Sequence, residues 1–114
     1  MNSKELLKGT LSTIILTLLR EKGKMYGYEI TQEVKRRTDG KILLREGSLY
    51  PALHRMLADG LLVTEEVMIG RRPRIYYKLT EQGAQQTTDQ TRELLDFLNT
   101  IGNLLLPGNI PAHG

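Results

Sequence analysis

In the stretch "REGSLYPALHRMLADGLL", residues 45–62, a serine, a tyrosine, a histidine and an arginine stand close together at Ser48, Tyr50, His54 and Arg55. Each suits a polyanion. A guanidinium donates two parallel hydrogen bonds to a phosphate or to a guanine edge, tyrosine and histidine bond phosphate or stack, and a serine at a helix start sits where free amides favour an anion. Further on, "GRRPR" gathers Arg71, Arg72 and Arg74 at a turn stiffened by Pro73, a set of cations matched to adjacent phosphates or a narrow minor groove. Two plainer readings stand beside these. The arginine-rich turn could simply be solvated, and Tyr50 could be a packed aromatic.

Catalysis has little to build on. Ser48, His54 and Asp59 are hydrolase residue types, but positions 48 and 54 lie on different faces of a helix. Gly23 and Gly27 lack the strand and lysine of a phosphate-binding loop, and two histidines, one near the C-terminus, make no metal site. No enzyme, metal or cofactor is expected.

The elements that must hold these side chains are legible from periodicity. Over residues 4–20 the apolar positions Leu6, Leu7, Leu11, Ile14, Ile15, Leu18 and Leu19 recur at three and four residue steps, predicting a helix with one buried stripe. After Gly23 and Gly27 a short second helix carries Ile30 and Val34 and stops at Asp39-Gly40. Ser48 is a good N-cap for a third helix, whose inward stripe is Leu49, Leu53, Met56 and Leu57. That leaves Tyr50, His54, Arg55 and Ala58 facing outward until Asp59-Gly60 ends the helix. "LLVTEEVMI" and "IYYKLT" then form a hairpin with a basic tip. Thr80 caps a long fourth helix over 81–105, polar in its first half and apolar in its second, so that it is expected to leave the body and find a partner.

The predicted fold class is therefore mainly α, a winged helix-turn-helix of three helices and a two-stranded β-hairpin wing over residues 1–80. A C-terminal dimerisation helix follows over 81–106, and 107–114 form a mobile tail. In such an order the third helix enters the major groove of double-stranded DNA and the hairpin lies along the backbone or minor groove. Charge agrees: residues 1–40 and 41–78 each carry +3, whereas 79–114 carry −3. The absence of cysteine excludes disulfides and thiolate metal sites and fits a cytoplasmic location. The N-terminal apolar stretch is interrupted by polar residues at helical spacing and is neither a signal nor a membrane span.

"MYGYEI", "EGSLYPALHRMLADGLL" and "RIYYKLTEQG" resemble the signature blocks of the PadR family of bacterial transcriptional regulators, in matching order across roughly residues 9–83. The resemblance implies a homodimer, usually a repressor, bound to an approximately palindromic operator. It implies DNA-facing positions at Ser48, Tyr50, Pro51 and Arg55 and in the wing arginines; Pro51 comes from the resemblance alone. His54 and the triple-arginine tip look particular to this chain. The fourth helix resembles that of the smaller members, which makes Leu94, Leu95, Leu98, Ile101 and Leu105 the expected dimer seam, packed with the Leu7 and Leu11 end of helix one. The other reading of those leucines is that they cap the monomer core. The resemblance and the leucine seam also point to a small hydrophobic effector between the subunits. The alternative function is a winged-helix protein-interaction module without specific DNA binding.

Overall fold

The computed structural model describes Leu7 and residues 9–106 of the chain. Helix α1 spans Leu11–Lys22 and buries Leu11, Ile15, Leu16, Leu18 and Leu19. The helix expected over 4–20 is thus interrupted ahead of Leu11, with Leu7 helical on the other side of the break. Gly9 and Thr10 form a turn in which the Thr10 amide and hydroxyl both donate to the Leu7 carbonyl, at 3.0 and 3.1 Å. Residues 1–6 and the tail expected over 107–114 lie outside the described residues. At its far end Gly23, with φ +88°, turns the chain into a strand that periodicity did not predict, β1, Lys24–Tyr26. Three residues between two glycines are too few to show alternation; β1 exists because the next sheet strand offers it an edge.

Helix α2 is Gly27–Arg37, with Glu29 accepting from the Tyr26 amide at 3.1 Å. Its end is a Schellman motif: the amides of Asp39 and Gly40 return to the carbonyls of Arg36 and Lys35 while both residues adopt positive φ. Thr38 ties the following connector to the helix, its hydroxyl donating to the Val34 carbonyl at 2.8 Å and accepting from the Ile42 amide at 3.1 Å.

Helix α3 runs Glu46–Ala58, three residues earlier than the Ser48 cap predicts. Arg45 is the N-cap, with extended backbone, and Glu46 sits in the first turn where a carboxylate complements the helix dipole. Ser48 is therefore the third helical residue. Pro51 is the sixth, so the amide it lacks would have met the Gly47 carbonyl, which solvent satisfies because Gly47 is exposed. The end is as expected: Gly60, at φ +78°, and Leu61 send their amides back to Leu57 and Met56.

Strands β2, Leu62–Ile69, and β3, Arg72–Leu79, pair antiparallel around a two-residue turn, Gly70–Arg71, with β1 on the other side of β3. Positive φ at Gly70 alone is the type II′ pattern that suits the strand twist. On the inner face Met25, Leu62 and Tyr77 are buried against the helices, and burial raises the Tyr77 phenol above its ordinary pKa. The core is one cluster, to which Leu7, Ile14, Ile42, Tyr50, Leu57 and Leu79 add partly buried surface.

Helix α4, Glu81–Leu105, starts where predicted. The Thr80 hydroxyl accepts from the Gly83 amide at 3.0 Å and donates to the Gly60 carbonyl at 2.6 Å, fastening the helix start to the end of α3. A Cβ at Gly83 would meet the Leu61 carbonyl, so only glycine permits this approach. Against α1 the helix makes a polar seam: Ser12 and Thr13 donate to Gln90, the hydroxyls of Thr17 and Thr91 face each other at 3.5 Å, and Arg20 donates to Thr88 at 2.9 Å. Beyond Leu94 the helix is largely exposed, with Leu98 at 52% and Leu105 at 70%.

Candidate nucleic-acid interface

One surface of α3 is set by what the other buries. Leu49, Ala52, Leu53 and Met56 are in the core, so the helix presents Ser48, Pro51, His54, Arg55 and Ala58 outward, all exposed. Tyr50 departs from the outward set. Its ring is half-buried against the core, and its phenol lies where a side chain at Gly27 would be. Tyr50 thus wedges the first turn of α2 against the first half of α3, holding the angle between the two helices.

The three wing arginines are not one cluster. Arg71 occupies the turn and Arg72 the first position of β3. Arg74 lies two residues further on the same strand face, its guanidinium 4.1 Å from the centroid of the Tyr26 ring. Tyr26 in turn meets the Tyr76 ring edge-on at 5.4 Å, and the Lys24 ammonium sits 5.1 Å over Tyr76. Pro73 is in the strand, not the turn, beyond the stretch of β3 that β1 pairs, where a missing amide costs no ladder bond.

Four of the cations are tied to glutamates. Lys24 and Lys78 share Glu65, at 2.7 and 3.2 Å, and hold its carboxyl below the usual range. Arg36 and Arg37 share Glu33, whose carboxyl their hydrogen bonds pull down to about 2, and Arg37 also pairs with Glu21 at the end of α1. Among the described residues, Lys22, Lys35, Lys41 and Arg92 make no ion pair and are exposed, and the same holds, on α3 and the wing, of the arginines Arg45, Arg55, Arg71 and Arg72. Those four arginines can each meet a phosphate without breaking a contact. Arg45 was not foreseen, because placing the helix start at Ser48 put it in a connector; as N-cap it flanks the leading end of α3. Tyr28, 63% exposed on the first turn of α2, was missed as well, and its exposure could not be read from sequence.

The expected seam residues separate too. Leu11 belongs to the core at 6% exposure, Leu7, Leu94 and Ile101 are half-buried, and Leu95, Leu98 and Leu105 are exposed. Among the described residues no helix is long and apolar enough to cross a membrane, and no cluster of histidine, aspartate and glutamate could hold a metal.

Residues 15–89 match the transcriptional regulator PadR-like family. The chain belongs to that family. A relative, the transcriptional regulator Rv3488 of Mycobacterium tuberculosis, is 38% identical over 78 residues, covering 68% of this chain and 70% of that one. A transcriptional regulator of Clostridium thermocellum superposes with a TM-score of 0.80 at 29% identity, over 87% of this chain and 96% of the other. Bacillus subtilis PadR, solved in complex with operator DNA, gives a TM-score of 0.63 at 30% identity, over 69% of this chain and 45% of that longer one. The winged helix predicted from the order of helices and hairpin is the fold of this chain, enlarged by the third strand, β1.

Proposed function

We infer that this chain is a homodimeric repressor reading an approximately palindromic stretch of double-stranded DNA in the cytoplasm. The observation that carries the reading is that Arg55 on α3 and Arg71 and Arg72 on the wing are exposed and unpaired, while Lys24, Arg36, Arg37 and Lys78 are tied to glutamates. The relation to Bacillus subtilis PadR, solved with operator DNA, supports it. Helix α3 enters the major groove with Arg55 and His54 directed at base edges or phosphates, while Ser48 and Pro51 meet the backbone near the helix start. Tyr50 acts chiefly as the brace between α2 and α3. Arg71 and Arg72 follow the backbone or minor groove, with Arg74 set back over Tyr26. The apolar outer half of α4 joins two copies, and a small hydrophobic molecule binding between them would alter their spacing and release DNA.

Selection of bound duplexes from random sequence tests this. The expected yield is an inverted repeat with half-sites about one helical turn apart, and Arg55→Ala should cost about 1–3 kcal/mol at one base position if it reads a base. A chain that retains no duplex at low ionic strength would instead be an interaction module. Calorimetry with small apolar compounds tests the effector: none that changes DNA release would remove it.

A further inference from the structure

The outer end of the wing carries apolar side chains that the core does not use. Cross-strand partners share a face, so the face that buries Leu62 and Tyr77 continues outward through Glu66 and Ile75 to Met68 and Pro73, which are paired with each other. Met68 lies four residues beyond Thr64, the partner of Tyr77, and so stands about 13 Å past the last core position. Nothing among the described residues covers it: Met68 is 57% exposed, and Pro73 and Ile75 are exposed beside it. Edge strands ordinarily carry charge at such places, because bare apolar ribbon invites unwanted pairing.

The neighbours of the pair indicate its occupant. Arg71 in the turn and Arg72 at the first position of β3 are exposed and make no ion pair, so two cations stand immediately beyond two apolar groups. A duplex offers the complement of both within one groove, phosphates at the rim and apolar base faces inside. Glu66, on the same face and about 7 Å further in, would meet the phosphates with like charge, so the contact ends at Met68 and Pro73. A simple fit is excluded by size. Two strands about 4.8 Å apart, with their side chains, overfill a minor groove about 6 Å wide, and the ribbon enters only where that groove is opened. Apolar side chains open it by parting two stacked base pairs and bending the duplex. Met68 is unbranched and conforms to the gap, while the fixed ring of Pro73 backs it and brings no amide to be left unsatisfied.

We propose that Met68, backed by Pro73, is a wedge that enters a base step from the minor groove while Arg71 and Arg72 hold the flanking phosphates, and that the step is a flexible pyrimidine–purine one. The proposal rests on the DNA reading inferred above. It adds a second source of specificity, a position chosen for how easily it unstacks and not for the hydrogen bonds it offers.

The full chain is bound to the duplex selected from random sequence, with the fluorescent adenine analogue aminopurine placed at one position at a time beside the stretch that α3 reads. Unstacking raises the emission of this analogue. Binding is expected to brighten one step several-fold, and the double variant Met68→Thr, Pro73→Thr, which keeps the hairpin ladder, to leave that step dim. Replacing the step by AA should weaken the unmodified protein about tenfold and the double variant little. Met68→Thr alone repeats the test should the double variant disturb the hairpin. A duplex bound with ordinary salt dependence but with no brightened step, or with one equally bright under the double variant, overturns the wedge and leaves DNA reading standing. A double variant that sediments as a smaller species than the parent without DNA gives the patch to a protein contact and overturns the wedge as well. Retention of no duplex overturns DNA reading and wedge together.

Discussion

The phenol of Tyr50 on α3 fills the space beside Gly27 at the first position of α2, so closely that a Cβ there would lie 2.7 Å from Tyr50 Cζ. Neither residue can change without the other responding. Because Gly27 opens α2 and Tyr50 lies in the first half of α3, the pair fixes the separation of the two helices at the end where α3 presents Ser48 and Pro51.

Gly27→Ala is expected to cost about 1–3 kcal/mol through overpacking. Adding Tyr50→Phe removes the hydroxyl that a Cβ would strike and should recover part of the loss. Urea midpoints of the two single variants and the double read the coupling. Strictly additive losses would mean that the two side chains do not compete for one space.

Gly83→Ala should cost about 2 kcal/mol or more, because the obstacle is the Leu61 carbonyl, which cannot swing aside as a side chain can. The urea midpoint should fall with the slope unchanged. A variant as stable as the parent would show that α4 can lift from the start of the wing at no expense.

The wing arginines should behave differently in salt titrations of DNA affinity. Replacing Arg71 and Arg72 together is expected to flatten the slope by up to about two units. Arg74→Ala should change it less and instead lose the Tyr26 stacking, seen as a small fall in the urea midpoint. Equal slopes for the three single variants would place Arg74 on a phosphate beside its neighbours.

Glu33 is held at about 2, against an ordinary 4.5, first by Arg36 and then by Arg37. A depressed carboxylate contributes stability that is fully present above about 4.5 and is lost as the pH falls towards about 2. Glu33→Gln should therefore flatten the decline of melting temperature over that window. The difference should shrink in high salt, since the partners Arg36 and Arg37 are exposed.

Periodicity located α2 and α4 nearly to the residue because caps and stops agree with it there: Asp39-Gly40 and Thr80 do what their types favour. It failed where a residue's role depends on distant chain. Strand β1 exists only beside β3, and Tyr50 looks solvent-facing on a helical wheel until Gly27 arrives against it. Gly9 and Thr10 break a helix whose apolar spacing runs straight through them. The arginine tip read as one cluster because sequence proximity cannot tell a turn residue from one two places along a strand, where an aromatic ring from another element is waiting. His54 and Arg55 were legible as outward residues because both neighbouring stripes of α3 are unambiguous hydrocarbon.

The seam between α1 and α4 is built from hydroxyls and an amide: Ser12, Thr13 and Thr17 facing Gln90 and Thr91. Interlocked leucines resist sliding because every displacement opens a void, whereas short polar groups exchange one acceptor for another, or for water, at little expense. The long helix is thereby mounted on the reading head as on a slipping joint. A small shear along this seam would leave the interior closed, with α4 still held at its start by Thr80 and Gly83.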